Sequence, residues 1–396
     1  MSRSIYVLPD VAERRGVRQR ALFWRDWAIG KLGPRLVEAG VSPSLLGNRF
    51  RPSVPAVEAA TESRTVHPGA RLQAKVAGGF ESRSELIGDP GWWGFSFRDV
   101  PDRLLHPTRI LTFRNARVLA IRSGQAQDYT PAVVVNGRSV ELREIRYRPV
   151  HATLANRTPD LELDDALWVA ERVFDNYSHW FSAHLPKLEM LRREGALGNL
   201  VLPDKRPAWV DASLARIGIE KDDFLQLPTP GVLRANTLRL VECDRFRPEL
   251  LRDARARVTG DGPKPDRRVF VSRKLARGRT LLEEAELEPL LLDKGFELVA
   301  MEALSFDQQA DLMSRTQVML APHGAGLTNM LFCPEGARIA EIADPAYPNP
   351  NFYAMAAALG HQYDYIAGKG VGEGHPLRHD LSVRIDDVKA FLDTLP

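Results

Sequence analysis

The spacing of apolar residues along this chain changes several times, and each change marks an element or a boundary. Residues 41–107 show no period, and turn signals at Pro52, Pro55, His67-Pro68-Gly69, Gly78-Gly79 and Asp89-Pro90-Gly91 predict irregular structure. From 109 to 150 the short apolar runs RILTF, ARVLAI, AVVVNGRSVEL and EIRYRPV predict a small antiparallel β region. Asn136-Gly137 between two of these runs is the signal for a type I′ hairpin. Past Thr158-Pro159 the pattern reads as helical through DDALWVAERVF and again through DNYSHWFSAHLPKLEMLRREGAL, where Trp180, Phe181, Leu185, Leu188 and Leu191 recur at helical spacing. NLVLP then reads as a strand, PAWVDASLARIGI as a helix and LRANTLRLVE as a strand.

Residues 253–268, DARARVTGDGPKPDRR, combine charge with Gly and Pro and carry no apolar period, which predicts a linker. Strands and helices alternate cleanly beyond it: RVFVS, TLLEEAELEPLLLDKG, FELVAME, SFDQQADLMSR, QVMLAP, HGAGLTNMLF and ARIAEIA. Such alternation specifies βαβ units and a parallel sheet. Ser305 and Gln308 form a capping box that fixes one helix start, and IDDVKAFLDTL reads as a closing amphipathic helix. The expected organisation is therefore α/β. It comprises an N-terminal extension (1–158) with a basic helix and small β region, a first α/β unit (159–255), a second (266–370), and a tail with a helix (371–396).

Composition narrows the class. The chain has 396 residues, 44% hydrophobic and 27% charged, which excludes a disordered polyelectrolyte and predicts a soluble globular protein. No window approaches the roughly 18 apolar residues of a membrane span, and MSRSIYVLPDVAERRG lacks the apolar centre of a signal peptide, so a cytoplasmic location is expected. Only Cys243 and Cys333 occur, too few for a disulfide framework or a cysteine zinc site, and both read as buried small apolar residues. A net charge of +3 does not imply a nucleic-acid partner. Residues 1–35 nevertheless carry eight basic against three acidic residues, +5, with Phe23, Trp24 and Trp27 among the arginines. Such a helix either packs on its own protein or lies peripherally on the inner face of an anionic membrane.

In an open parallel sheet, ligands bind where strands end and helices begin. QVMLAP runs into His323-Gly324-Ala325-Gly326-Leu327-Thr328-Asn329, whose glycines admit a ligand to the backbone and whose helix start offers unpaired amides to a phosphate. RVFVS releases Arg273, followed by Lys274, Arg277 and Arg279; the planar guanidinium fork suits phosphate. There is no Asp-x-Asp to hold a divalent cation on a diphosphate, so a cationic, metal-free clamp is the economical reading. His375 and His379 are four apart, but Pro376 and the neighbouring glycines argue against a helix that would align them on a metal. Gly324-x-Gly326-x-x-Asn329, with Asp344 after the next strand, also echoes half of a dinucleotide fingerprint, which keeps an NAD-type oxidoreductase as an alternative.

Together these residues resemble glycosyltransferase family 61, the capsular polysaccharide biosynthesis type. The resemblance runs from ALWVAERVFDNYSHWFSAHLPKLEML through RVFVSRKLARGRTLLEEAEL to HGAGLTN and the Glu341 strand, about residues 160–370. Its most specific pieces are HGAGLTN, Gln309, Ser272-Arg273 and Asn176-Tyr177-x-His179-Trp180. Where the family usually shows Asn-Glu after the second arginine, this chain has Glu283-Glu284. The resemblance implies a GT-B architecture, two Rossmann-like domains facing a cleft, and an inverting transfer from a nucleotide-diphosphate sugar to a saccharide or lipid-linked glycan. A UDP-sugar is the expected donor, with no metal or other cofactor. Arg273, Arg279, Gln309, His323, Gly324, Ala325, Gly326, Thr328, Asn329 and Glu341 are the candidate donor contacts. Glu341 sits in an otherwise apolar strand and needs a partner, such as a ribose hydroxyl or an arginine. His179 is the candidate general base, with Asp175 one turn before it as the second choice. A catalytically inactive nucleotide-binding scaffold of the same fold is the other alternative.

Overall fold

A computed structural model describes residues 17–396 apart from 92, 261, 263 and 277, with side chains from residue 28 onward. The N-terminal half builds a nine-stranded sheet from β1 (Ser53–Pro55), β2 (Glu62–His67), β5 (Thr108–Ser123), β6 (Asp128–Val135), β7 (Arg138–Glu141), β8 (Leu161–Trp168), β9 (Leu200–Pro203), β10 (Phe224–Leu227) and β11 (Gly231–Glu242). The order is β1-β7-β6-β5-β11-β8-β9-β10, with β2 also on β5. A separate hairpin-like pair joins β3 (Ala70–Gln73) to β4 (Asp102–Leu105). β5, β6 and β7 pair antiparallel, and the two-residue β6–β7 turn holds Asn136 and Gly137 at φ 50 and 77, the positive values that a type I′ turn requires. β11, β8, β9 and β10 are mutually parallel, while β11 pairs antiparallel with β5. The strands before and after residue 158 thus share one sheet.

DDALWVAERVF, which its pattern assigns to a helix, is instead the end of β8 and the chain leaving it. Ala166 to Ala170 are all buried, and a strand covered on both faces is a continuous apolar run that periodicity cannot separate from a buried helix. The following helix does form. It starts at Tyr177, where the Asn176 side chain accepts from the Ser178 and His179 amides, widens to a π turn over Trp180–His184, and continues as Leu185–Arg193. Pro186, which has no amide to donate back along the helix, is the second residue after the widened turn.

The expected linker is also shorter than its composition implies, because the helix Pro248–Thr259 occupies its first half. Leu250, Leu251, Ala254 and Val258 bury one face of that helix despite the charges between them. The second sheet then comprises β12 (Arg267–Ser272), β13 (Phe296–Ala300), β14 (Thr316–Pro322), β15 (Arg338–Ala343), β16 (Gln362–Val371) and β17 (Asp380–Val383). Its order is β13-β12-β14-β15-β16-β17, parallel except for the last strand. The capping box is present at Ser305, which starts the helix Phe306–Ser314. The segment after HG is a 3₁₀ helix, Ala325–Phe332.

Alternate residues of β12 serve two cores. Phe270 packs with the helices Glu284–Asp293 and Ile385–Asp393, through Leu287, Leu291, Val388, Phe391 and Leu392. Val269 and Val271 join the main core, which also holds Leu327, Met330, Phe181, Leu188 and Leu250. Helices attached to the two sheets therefore pack on each other in one continuous core. The basic N-terminal segment enters the helix Val17–Glu38, whose Pro34-Arg35 end lies against the body: a Cβ on Gly33 would sit 2.3 Å from the Phe50 ring. The aromatic side chains of Phe23, Trp24 and Trp27 lie outside the described residues. Among the described residues no helix is long and apolar enough to cross a membrane. Cys243 and Cys333 are free and buried.

Candidate functional site

β12 and β14 are neighbours, yet the chain leaves them in opposite directions, to β13 on one side and β15 on the other. Such a reversal opens a crevice at the carboxyl ends of the two strands. Arg273 leaves β12 there, on the side of Val269 and Val271, and is 8% exposed. Its Nε donates to the Arg279 carbonyl at 2.9 Å and its Nη2 to that of Gly278 at 2.8 Å. The third nitrogen, Nη1, lies against Gly324 at the end of β14: a Cβ there would be 2.0 Å away. A Cβ on Gly326 would likewise stand 2.9 Å from Val271. Close approach, not turn geometry, requires the glycine at 324, whose φ of 168 is ordinary extended backbone.

The two arginines make no close ion pair at this crevice, although Glu302 acts on Arg273 and Glu341 on Arg279 from a distance. Among the described residues no carboxylate lies within ion-pair distance of Arg273 or Arg279. Burial, and then the Arg279 charge, lower the Arg273 pKa to about 10, and burial lowers that of Arg279 as well. Arg279 is held at φ 57, a left-handed conformation unusual for arginine. Lys274, the next residue after Arg273, turns the other way to Glu284 and Glu288, both at 3.5 Å. Two cations without a close ion pair beside the first turn of the 325–332 helix are an arrangement suited to an anion.

His323 is buried beside them. Its Nδ1 is hydrogen-bonded to Glu341 Oε1, and the other carboxylate oxygen accepts from Tyr363 Oη at 2.6 Å. The partner that Glu341 needs is thus internal, and at 0% exposure neither a ribose nor an arginine reaches it. Glu341 positions the His323 ring, leaving Nε2 as the nitrogen with capacity for a ligand. Tyr347 and Phe352 meet that ring edge-on, with centroids at 5.9 and 5.3 Å.

Gln309 and Asn329 are hydrogen-bonded to each other and to Tyr177. Tyr177 Oη bonds Gln309 Oε1 at 2.8 Å and Asn329 Oδ1 at 2.7 Å, Asn329 Nδ2 donates to Gln309 Oε1 at 3.2 Å, and Gln309 Nε2 donates to the Met301 and Leu304 carbonyls. This triad ties the helix after β8 to those after β13 and β14. Thr328 is fully buried and its hydroxyl has no partner among the described residues, so it too faces inward. Tyr177→Phe removes the one hydroxyl proton shared between the two oxygens and leaves Asn329 Oδ1 short of a donor, whereas Gln309 Oε1 keeps Asn329 Nδ2. It is expected to cost about 1–3 kcal/mol of stability, measured by denaturant unfolding, whereas an unchanged midpoint would show that the triad carries no weight.

Above the triad lies a cavity of about 520 Å³, the size of a small-molecule site. Its wall is made by Tyr177 after β8, Ala208 and Trp209 after β9, residues including Met301, Glu302, Phe306 and Gln309 after β13, and Ala325, Gly326 and Asn329 after β14. Parallel strands of both sheets thus deliver their carboxyl ends to one space.

His179 does not line that cavity. It is half-buried, on the opposite side of its helix turn from Tyr177, and burial followed by the Arg245 charge hold its pKa well below the usual value. Arg245 reaches the same turn, with Nε on Ser182 Oγ at 2.8 Å, and stands over the Phe246 ring. Beneath lies a buried network in which Glu171 accepts from Lys187 and Arg143, and His184 Nδ1 meets the His179 carbonyl at 2.9 Å. Asp175 is elsewhere. It precedes the helix cap, so it is not one turn back on the His179 face, and its carboxylate pairs with Arg122 at 2.7 Å. His375 and His379 flank the short turn Pro376–Arg378 and do not share a helix. Sequence reasoning missed Trp209, Glu302, Tyr363 and Arg245; of these only Glu302, the last residue of the predicted strand FELVAME, had a positional signal.

A mixed α/β protein with a cationic crevice at the reversal point of a parallel sheet, next to a ligand-sized cavity, is the class that fold and site define. Residues 177–340 match the family model described as Glycosyltransferase 61, which bears out the resemblance over that segment. Curated relatives agree. The chain is 29% identical over 175 residues to the beta-1,2-xylosyltransferase XAX1 of Oryza sativa subsp. japonica, covering 42% of this chain and 30% of that protein. It is 33% identical over 93 residues to the EGF domain-specific O-linked N-acetylglucosamine transferase of Drosophila melanogaster (23% of this chain, 18% of that protein). With the protein O-linked-mannose beta-1,4-N-acetylglucosaminyltransferase 2 of Danio rerio it shares 32% over 108 residues (25% and 18%). The matched stretches span less than a third of each relative's length.

Proposed function

We propose that this chain is an inverting glycosyltransferase of GT-B form, moving a sugar from a nucleoside-diphosphate sugar to a hydroxyl of a saccharide or lipid-linked glycan in surface polysaccharide or glycan synthesis. One observation carries the reading: a buried Arg273 without a close ion pair, pressed against Gly324 at the reversal point of the second sheet, with Arg279 and the His323 ring beside it. This is a diphosphate clamp built from cations and backbone, and it works without a divalent metal. The two parallel runs whose carboxyl ends meet at one cavity support the GT-B reading, and the match over 177–340 supports the chemistry. Arg273, Arg279 and His323 hold the leaving diphosphate, Glu341 fixes His323, and His179 takes the acceptor proton.

The relatives are named for xylosyl and N-acetylglucosaminyl transfer, so UDP-xylose and UDP-N-acetylglucosamine head the donor panel. Titration calorimetry of UDP, GDP and CDP in the presence of EDTA is expected to give micromolar binding of one nucleotide. A strict requirement for manganese, or no binding at all, would reject the metal-free clamp. A donor that binds but is never consumed with any acceptor would instead leave a nucleotide-binding scaffold.

A further inference from the structure

On the side of the first sheet's helix that faces away from the 520 Å³ cavity, four segments bring cations together around His179. Arg245 follows β11, Arg143 follows β7, Arg103 stands in β4, and Lys187 belongs to the helix Leu185–Arg193. The Phe246 ring links two of them, with the Arg245 guanidinium 5.1 Å and that of Arg103 5.9 Å from its centroid. Carboxylates are fewer. Glu171, 2% exposed, serves both Lys187 and Arg143. Asp244 reaches Arg103 at 3.8 Å, while its other oxygen accepts from the His106 amide, and Arg103 Nη1 is buried without a partner among the described residues. Glu144 acts on Arg143 and Arg245 from a distance. Burial keeps His179 and His184 neutral, so a positive charge is left over.

The surplus sits on Arg245, which has no carboxylate within ion-pair distance among the described residues. Its Nε donates to Ser182 Oγ at 2.8 Å, and its Nη2 lies 3.3 Å from Ser178 Oγ and 3.4 Å from the Ser178 carbonyl. All of these acceptors are neutral, and they leave guanidinium N–H groups without a bond. Arg245, Ser178 and His179 are each only half-buried, so this edge of the cluster is open. Beneath it the frame is fixed: the Glu171 amide donates to His184 Nε2 at 3.0 Å, which puts the ring proton on Nδ1, and Nδ1 donates to the His179 carbonyl at 2.9 Å. A partly desolvated guanidinium facing neutral acceptors gains most from an oxyanion, whose two oxygens match its fork and whose charge offsets the surplus. The donor's phosphates have their own cations, Arg273 and Arg279, on the second sheet. An anion on Arg245 would lie instead beside Ser178, next to the ring that receives the acceptor's proton.

We infer that Arg245, backed by Arg143 and Arg103, holds an oxyanion of the acceptor, so that the hydroxyl deprotonated by His179 belongs to a sugar bearing a carboxylate or a phosphate. This rests on the reading of His179 as the base of a glycosyl transfer. The test is calorimetry of the full chain, saturated with the tightest-binding of UDP, GDP and CDP so that the Arg273 crevice is filled. Methyl β-glucuronoside, glucose 1-phosphate and the neutral methyl β-glucoside are the probes. Wild type is expected to bind one of the two anions about tenfold or more tighter than the glucoside. A tighter glucuronoside assigns the charge to an acidic saccharide, a tighter phosphate to a phosphate-linked glycan, and either supports the site. Arg245→Met, which keeps the apolar contact with Phe246, should cut the preference to roughly threefold or less with nucleotide affinity unchanged. Arg245→Lys keeps the charge without the fork and should fall between, which carries the test if the methionine variant does not fold. A glucoside bound as tightly as both anions, or a preference that survives both substitutions, overturns the inference and leaves the donor reading intact. If wild type binds no nucleotide, the titrations run without it, and an Arg245-dependent preference then upholds the anion site while the transfer reading falls.

Discussion

Gly324→Ala is expected to weaken nucleoside-diphosphate binding roughly tenfold to a hundredfold while the protein stays folded. The added methyl would meet Arg273 Nη1 at 2.0 Å and Cζ at 2.8 Å, and the guanidinium must leave its place. Moving it breaks the bonds to the Gly278 and Arg279 carbonyls, and the loop that carries Arg279 loses its anchor. A hydrogen bond to a charged group contributes about 1.5–3 kcal/mol, and 1.4 kcal/mol is a factor of ten in affinity, which sets the range. The backbone itself does not object, since φ at 324 is extended. Arg273→Ala should show a similar loss and Lys274→Ala far less, because Lys274 turns away to Glu284 and Glu288. The decisive measurement is the double variant. If Gly324→Ala acts through Arg273, adding it to Arg273→Ala changes the dissociation constant little further; additive losses would separate the two residues.

His179→Ala should keep donor binding and lower turnover by roughly a hundredfold, the usual worth of a positioned general base. The expected pH profile follows from the structure. Burial and Arg245 hold the imidazole pKa well below its ordinary value, so the ring is neutral and able to accept a proton throughout the neutral range. Turnover should therefore be level around neutrality and fall only in acid, where the ring protonates. Removing the neighbouring charge with Arg245→Met raises the histidine pKa and should move the acid limb upward, a shift that a merely structural role for Arg245 would not produce. Asp175→Asn should change turnover little, because Asp175 serves Arg122. A folded His179→Ala protein with wild-type turnover ends the role of His179 in the chemistry.

Much of the second sheet was legible from residue order alone. RVFVS, FELVAME, QVMLAP and ARIAEIA each fall on a strand, the Ser305 box starts its helix, and Asn136-Gly137 makes its hairpin. These features depend on neighbours within a few residues, through backbone conformation, caps and alternating burial. The HGAG turn and Arg273 were recognisable for the same reason: chain ends of parallel strands are predictable sites once the strands are known. What stayed hidden depends on contacts across long separations. β8 is a strand because β11 and β9 lie on either side of it, and Asp175 is removed from His179 by Arg122 on β5. Glu341 finds its partners on two other strands' ends, and Tyr177 meets Gln309 and Asn329 across 132 and 152 residues. The order of residues determined which groups stand at strand ends; tertiary packing decided which of those groups are spent on one another and which, like Arg273 and Arg245, keep hydrogen-bonding capacity for a ligand, because a buried polar atom is satisfied by whatever the fold brings within about 3 Å of it.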